Sequence, residues 1–284
     1  MSPRARAALP QAFFLATDTG QRFCLFHPPQ GATPLGRVLY LHPFAEELNS
    51  TRRVVAGQAR ALAQAGYGVL QIDLLGCGDS AGDFADATWV AWLHDAQQAH
   101  HWLDNHASGP LWIWGMRSGA LLAAQLAALL QAPGAAPTHL LLWQPVASGL
   151  QMLQQFLRLH AASQWLGAGS AGEPPPSQTL ARGLSIDIAG YTLSPRLAQG
   201  LAEAHMPAPG SLQPGRLVWL ETSSTQTPSL SPAADKQLSA WHAAGWQVQA
   251  QAVEGPPFWQ TVGADEAPAL IQATLAALTH PPQA

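Results

Sequence analysis

Short apolar segments alternate with longer helical patterns through most of this 284-residue chain, and this alternation constrains the fold more than any other feature. Eight segments rich in Val, Leu, Ile and Trp have the length of strands, and six helical patterns lie between or beside them. A strand, a helix and a second strand in succession form a parallel pair with a right-handed crossover. The sequence therefore predicts an α/β fold with one mostly parallel eight-stranded sheet and helices on both faces.

The predicted strands are Phe13–Thr17, Arg22–His27, Arg37–His42, Gly68–Asp73, Leu111–Trp114, His139–Trp143, Arg216–Glu221 and Gln247–Val253. The loop Asp18-Thr19-Gly20 joins the first two, and a short loop with a glycine predicts an antiparallel hairpin there. The predicted helices are Thr51–Ala65 (after a cap at Asn49 or Ser50), Thr88–Asn105, Ser118–Gln131, Leu150–His160, Pro232–Ala244 and Asp265–Leu278.

The alternation breaks between the sixth and seventh predicted strands. A helical pattern is followed there by a Gly-, Ala-, Ser- and Pro-rich stretch, Gly167–Ser177, and by the short run Ser185–Leu193. This segment is too long for a plain crossover. We therefore expect a single domain over residues 1–284, with a cap or lid inserted at about 146–213 above the carboxyl ends of the strands.

Composition excludes several classes of partner. The chain has 13 Lys plus Arg against 17 Asp plus Glu, so no basic surface is expected and nucleic acid is not a predicted partner. The longest apolar stretch, Gly119–Leu130, is shorter than the roughly 20 residues that span a bilayer, so no integral membrane segment is expected. The N-terminal segment lacks the pattern of a signal peptide. Cys24 and Cys77 lack metal-ligand spacing. A cytoplasmic protein without metal or cofactor is expected.

The most informative unit runs from Leu111 to Leu122, where a buried strand enters a helix of small and apolar residues. The tight turn between them is flanked by Gly115 and Gly119, which is typical of a nucleophile elbow. Arg117 occupies the central position, where a serine would be expected. Because elbow residues adopt positive φ, we expect the same of Arg117.

Two further loops follow strands in the same manner. The strand Val38–Leu41 leads into a loop from His42 to Glu47, and a later strand leads into the glycine-containing loop from Asp73 to Ser80. Together with the elbow and in this order, these segments resemble the α/β-hydrolase superfamily. The resemblance implies that the first of these loops supplies a backbone N–H to an oxyanion hole.

The strings from His42 to Arg53, Asp73 to Ser80, Gly115 to Gly119, Gly190 to Pro195 and Gly255 to Thr261 are similar to those of the second type of exosortase A-associated hydrolase. This resemblance implies a cytoplasmic bacterial protein encoded near an exopolysaccharide and protein-sorting system. It implies a hydrolase fold and gives no substrate.

An acyl-transfer triad requires a nucleophile at the elbow, a carboxylate after a late strand and a histidine after the last strand. Arginine offers only donors and cannot attack, so Ser118 is the remaining candidate nucleophile. Glu221 is the best-placed carboxylate. The loop from Glu254 to Thr261 contains no histidine, and His42 is the histidine at the appropriate end of the sheet.

Each of these residues also has a structural interpretation. Ser118 can be a small residue that opens a helix, and Glu221 a residue at a strand end. Five other histidines belong to helical patterns, where packing or solvated roles are expected, and a sixth lies in the C-terminal tail: His94, His100, His101, His106, His242 and His280.

An arginine at the elbow would lie at a helix N-terminus, which already favours anions, and a buried cation needs a partner. Either Glu46 or Glu47 on the facing loop forms an internal ion pair with it, or a ligand carboxylate or phosphate completes the site. Phe44 and Trp259 lie in loops that would border this site.

Two functional hypotheses follow. The first is an unorthodox hydrolase of esters or thioesters that uses His42, Ser118 and Glu221. The second is a non-catalytic pseudo-hydrolase whose pocket binds an anionic or glycan-related ligand, or whose surface binds a protein partner. Either hypothesis is compatible with a small-molecule ligand and leaves the oligomeric state open.

Overall fold

The computed structural model describes residues 9–163, 174–207, 209–261 and 266–279. Its strands are β1 Gln11–Thr17, β2 Gly20–His27, β3 Gly36–Leu41, β4 Tyr67–Ile72, β5 Leu111–Met116, β6 His139–Trp143, β7 Ile186–Ile188, β8 Tyr191–Leu193, β9 Arg216–Ser223 and β10 Gln247–Glu254. Its helices are α1 Glu46–Gln64, α2 Trp89–His106, α3 Gly119–Leu129, α4 Gly149–Ser163, α5 Pro176–Ala181, α6 Pro195–Glu203, α7 Pro232–Ala243 and α8 Pro268–Thr279.

The main sheet has eight strands in the order β1-β2-β4-β3-β5-β6-β9-β10. The β1–β2 and β2–β4 pairs are antiparallel, and the remaining pairs are parallel. The prediction of a mostly parallel eight-stranded sheet with an N-terminal hairpin is confirmed. The fold is that of an α/β-hydrolase, in which the loops at the carboxyl ends of the parallel strands meet above one edge of the sheet.

Helices cover both faces of the sheet because the central strands are apolar on both sides. Helices α2, α3 and α7 pack with one face around Leu39, whereas α1 and α8 pack with the other around Val38. On the second face, the Trp143 indole donates a 3.0 Å hydrogen bond to Thr274 Oγ1 on α8. The central strands are therefore rigidly held between two layers of helices.

Helix α1 begins earlier than the sequence predicts. Its first residue is Glu46, and its N-cap is Ala45 with φ 49°, so the expected cap at Asn49 or Ser50 is wrong. The chain turns sharply at Ala45, and the helix is already formed at Glu47, whose carbonyl accepts a hydrogen bond from Thr51 Oγ1. Glu46 and Glu47 consequently occupy the first turn, where the helix dipole favours carboxylates.

The chain between β6 and β9 contains α4, α5, the β7–β8 hairpin and α6. Helix α4 packs on α6, and Ile188 and Leu193 of the hairpin are buried with α2 in the same core. The Tyr191 ring meets the Phe84 ring edge to face at 5.0 Å between centroids. Most of the predicted linker at 167–177 lies outside the described residues, as does the predicted helix start at Asp265.

No helix within the described ranges combines the length and hydropathy that crossing a bilayer requires. Cys24 and Cys77 are both buried as free thiols, and burial raises the pKa of Cys24 to about 12. Neither thiol is therefore an activated nucleophile.

A buried ion pair fixes α2 beneath the loops of the site. Arg22 on β2 and Asp95 on α2 are almost completely buried, with 2.8 Å between Nε and Oδ2. The same Asp95 oxygen accepts a 2.8 Å hydrogen bond from the Leu75 N–H in the loop after β4. The Asp95 carboxylate thus joins three separate parts of the chain: strand β2, helix α2 and the loop after β4.

Replacing Asp95 with alanine should destabilise the fold by about 3–5 kcal/mol, because it leaves the Arg22 cation buried without a partner. The half-exposed Asp104, which pairs with Arg37, is the matched control, and Asp104→Ala should cost less than about 1 kcal/mol. Urea unfolding of the two variants gives both values. Equal losses would contradict the importance of the buried pair.

Candidate functional site

The elbow has the geometry that the sequence predicts. Arg117 lies between β5 and α3 with φ 54°, which confirms the expected positive φ. A Cβ at Gly115 would lie 2.4 Å from the Gly119 carbonyl oxygen, and one at Gly119 would lie 2.2 Å from that of Leu41. Only glycine fits at these two positions, and the close approach forces the turn to be tight.

The arginine side chain is held inside the protein. It is 8% exposed, and its Nε donates a hydrogen bond to Glu47 Oε1 at 3.1 Å. Its Nη2 donates to Gln155 Oε1 on α4 at 2.9 Å, and its Cζ lies 5.4 Å from the Trp259 ring centroid. Of the two arrangements that the sequence allows, the structure contains the internal ion pair with Glu47.

The two adjacent glutamates are electrostatically strained. Burial raises the pKa of Glu47 to about 7, and repulsion from Glu46 adds to the effect, although Arg117 opposes both. Burial also raises the pKa of Glu46, again against the attraction of Arg117. A single guanidinium therefore does not fully compensate two enclosed carboxylates.

A cavity of about 870 Å³ lies above the elbow. Its walls come from the start of α1, from α4, from the β7–β8 hairpin and from the loop after β10. The charged and aromatic side chains on these walls include Glu46, Glu47, Arg117, Arg158, Tyr191 and Trp259. Ala189 in the hairpin also lines the cavity with φ 50°, so non-glycine residues with positive φ recur around it, as at many functional sites.

The two ring nitrogens of His42 are bonded to backbone groups. Its ring is buried, with Nδ1 2.7 Å from the Pro43 carbonyl oxygen and Nε2 accepting from the Leu74 N–H at 3.3 Å. Both nitrogens are therefore occupied by backbone groups. Burial lowers the pKa of His42, which keeps the imidazole neutral.

Neither Glu221 nor Ser118 is hydrogen-bonded to a ring nitrogen of His42. Glu221 is buried, and its carboxylate accepts hydrogen bonds from the Trp219 indole, the Ser231 N–H and the Ser231 hydroxyl. Ser118 is 2% exposed at the N-cap of α3, and its hydroxyl makes no capping bond. The structure does not link these three candidates by hydrogen bonds to one another.

The aromatic candidates divide between core and site. Phe44 is fully buried and packs edge to face on Phe84, Trp92 and Phe156, so it supports the site from below rather than lining the cavity. Trp259 lines the cavity, as expected. The helical histidines lie in α2 and α7, and His280 lies outside the described residues.

Sequence reasoning missed Gln155 and Tyr191. Gln155 carries the second hydrogen bond to Arg117, and the Tyr191 hydroxyl accepts from Asn49 Nδ2 at 3.2 Å. A glutamine on an amphipathic helix carries no signal of its own. Tyr191 lies within one of the strings that resemble the exosortase-associated hydrolases, which is the signal that was available.

A model of the X-Pro dipeptidyl-peptidase family, S15, matches residues 23–256. This match covers most of the chain. It begins within β2 and includes all of the strands from β3 to β10. The chain belongs to the S15 family. None of the curated proteins matches it.

Several solved structures have the same fold as this S15 member, although their sequences are less than 20% identical to it. A soluble variant of monoglyceride lipase from Saccharomyces cerevisiae is 12% identical, with a TM-score of 0.63 and coverage of 98% of this chain and 96% of that one. Est1E from Butyrivibrio proteoclasticus with bound ferulic acid is 14% identical, with a TM-score of 0.61 over 94% and 96%. A carboxyl esterase from Bacillus coagulans is 13% identical, with a TM-score of 0.58 over 87% and 91%. The fold is that of esterases and lipases.

The raised pKa of Glu47 predicts a specific dependence of stability on pH. Because the folded-state pKa lies near 7 and the unfolded value near 4.5, Glu47 favours folding below pH 4.5 and loses this contribution as the pH rises to about 7. The variant Glu47→Gln should therefore gain melting temperature relative to the parent between pH 4.5 and 7. A difference that stays constant with pH would contradict the raised pKa.

The positive φ of Arg117 predicts different effects for two substitutions that remove the same charge. Arg117→Gly relieves the backbone strain and Arg117→Ala retains it, so the glycine variant should be the more stable by about 1 kcal/mol. Denaturant unfolding of the pair measures the difference directly. An alanine variant as stable as the glycine variant would show that the turn stores no strain.

Proposed function

We propose that this S15 member is a pseudo-hydrolase: a ligand-binding protein whose cavity above Arg117 holds a glycan-related small molecule. The observation that carries the proposal is the elbow itself. Arg117 stands where the attacking side chain would stand, and its guanidinium is paired with Glu47 at 3.1 Å. A protonated guanidinium cannot act as a nucleophile, and here it occupies the elbow position at which a hydrolase would carry its nucleophile.

Three further features support this proposal. The loop after β10 contains no histidine between Glu254 and Thr261. The ring nitrogens of His42 and the carboxylate of Glu221 are engaged by neighbouring groups. Ester hydrolysis by a triad needs a base that is free to receive a proton from the nucleophile, and these contacts leave neither His42 nor Glu221 in that role.

We further propose a cellular role and a domain arrangement. The resemblance to the second type of exosortase A-associated hydrolase supports a cytoplasmic role in a bacterial exosortase and exopolysaccharide system. The contacts of α4 and of the β7–β8 hairpin with the cavity support a single domain in which the segment at about 146–213 is a cap over the site.

A competing hypothesis is an unorthodox ester or thioester hydrolase, which the esterase and lipase fold favours. It assigns His42, Ser118 and Glu221 to the chemistry. The two hypotheses differ in whether any hydrolysis depends on Ser118, because oxyanion-hole donors alone leave residual activity even when a triad is destroyed.

Replacing Ser118 with alanine should change the hydrolysis of a p-nitrophenyl ester by less than about tenfold, equivalent to roughly 1.4 kcal/mol. Ser239→Ala on α7, where the serine is exposed, is the matched control. A serine-directed fluorophosphonate should leave the parent protein unlabelled. A thousandfold loss of activity in a folded Ser118→Ala variant, or labelling of Ser118, would overturn the pseudo-hydrolase proposal.

A further inference from the structure

We propose that the cavity above Arg117 recognises a ligand with a protonated primary amine next to a hydrogen-bond-accepting oxygen, the chemistry of an amino sugar. The inference rests on the proposed function, because it names the class of ligand for that same cavity. It reverses the expectation that an arginine at the elbow attracts an anion, and it depends on two separate groups of unsatisfied polar atoms.

The first group consists of carboxylate oxygens. Glu46 and Glu47 line the cavity, and the Oε2 atom of each is buried without a hydrogen-bond partner among the described residues. Glu47 is 5% exposed, and only its Oε1 is engaged by Arg117. Two carboxylate oxygens therefore remain as unpaired hydrogen-bond acceptors for donors from a ligand.

Among the described residues, the enclosed charges that line the cavity do not balance. Glu46 and Glu47 contribute two carboxylates, and Arg117 contributes one buried guanidinium. Arg158 on α4 also lines the cavity, but its side chain is exposed and its Nε donates to the Gln154 carbonyl oxygen at 3.2 Å. Tyr191 is the remaining titratable group among the wall residues that the structure describes, and burial raises the pKa of its phenol, which stays neutral.

When Glu46 and Glu47 are both ionised, the enclosed negative charge exceeds the positive charge of Arg117 and favours a cation over a neutral or anionic group. A carboxylate ligand would find the Arg117 charge already neutralised and would meet two carboxylates of like sign. A neutral hydroxyl would donate hydrogen bonds but leave the charge uncompensated. An ammonium group supplies three donors and one positive charge, so it satisfies both deficits together.

The second unsatisfied polar group is the indole N–H of Trp259, which is independent of the carboxylates. Trp259 is 6% exposed and lines the cavity, and within the described ranges its indole Nε1 has no acceptor. A buried indole N–H normally finds a partner, so an oxygen acceptor on the ligand is indicated. Trp259 and Glu47 flank the same guanidinium, with the ring centroid 5.4 Å from its Cζ and Oε1 3.1 Å from its Nε.

Because Glu47 and Trp259 both contact the Arg117 guanidinium, a ligand that reaches both residues carries its amine and its acceptor oxygen on one small molecule. Vicinal amino and hydroxyl groups on a sugar meet this requirement, and the faces of Trp259, Tyr191 and Phe156 provide apolar walls for the ring.

The test measures the binding of four matched sugars to the full-length protein. Glucosamine carries the amine, glucose and N-acetylglucosamine are the neutral sugars, and glucuronate is the anionic sugar. Titrations followed by ligand-observed NMR give the affinities. Glucosamine should bind at least tenfold more tightly than glucose, whereas N-acetylglucosamine, whose amine is neutralised as an amide, should lose this advantage. Glucuronate should bind most weakly.

Variants identify the groups responsible. Glu46→Gln and Glu47→Gln, alone and together, should abolish the preference for glucosamine over glucose, while Glu203→Gln on α6 should retain it. Trp259→Phe keeps an aromatic ring without the N–H and should weaken glucosamine and glucose by a similar factor. Because the glutamine variants are isosteric, circular dichroism and melting curves establish that each is folded.

Equal binding of glucosamine and glucose, tighter binding of glucuronate, or no binding of glucosamine would overturn the inference. A preference that survives in the folded double glutamine variant would do the same. None of these results alters the dependence of hydrolysis on Ser118, which tests the proposed function separately, so failure of one can be told from failure of the other.

Discussion

The buried guanidinium at the turn between β5 and α3 has to be neutralised where it stands, and the arrangement around the elbow follows from this constraint. The close approach of Gly119 to the Leu41 carbonyl holds the backbone of Arg117 in a left-handed conformation and aims its side chain above the strands. Once enclosed, the cation requires a carboxylate, which Glu47 supplies from α1. Gln155 and Trp259 complete its surroundings from two other parts of the chain.

The paired guanidinium at the elbow also limits the reactions that this site can catalyse. The frame of an esterase or lipase is retained, with the elbow, the loop after β3 and the loop after β9 all at the carboxyl edge of the sheet. A fold of this kind supports many functions, and function has to be argued from the side chains that occupy its site. Here the Arg117 guanidinium is bonded to Glu47 and Gln155. The His42 imidazole and the Glu221 carboxylate, which a triad would require, are bonded to other partners.

Non-glycine residues with positive φ mark where the structure accepts strain. Ala45 precedes the two glutamates, Arg117 forms the elbow and Ala189 lies in the hairpin above them. Such conformations cost on the order of 1–3 kcal/mol each and persist where the surrounding packing determines them. Arg117 and Ala189 line one cavity, which indicates that its walls are held in place by the fold and favours a preformed binding site over a surface that orders on contact.

The eight strands of the main sheet and the helices beside them could be predicted from sequence because they depend on local patterns, whereas α5, α6 and the β7–β8 hairpin were not predicted. Apolar runs that are buried on both faces identify the parallel strands, and the two glycines around Arg117 identify the elbow and its positive φ. The start of α1 was predicted too late, since Glu46 and Glu47 are polar residues that no hydrophobic period assigns to a helix. The sharp turn at Ala45, which brings them into the first turn, is a tertiary feature.

The partners of Arg117 belong to the same class of feature. From sequence, its charge could have been met by Glu46, by Glu47 or by a ligand anion. The choice of Glu47, and the contribution of Gln155, depend on how α1 and α4 pack above the sheet. The sequence by itself determined that a cation occupies the elbow of an α/β-hydrolase fold, because residue identity and local periodicity suffice for that. Only the tertiary structure decided which carboxylate neutralises it and which polar atoms remain unpaired, because these depend on distances between segments remote in the chain.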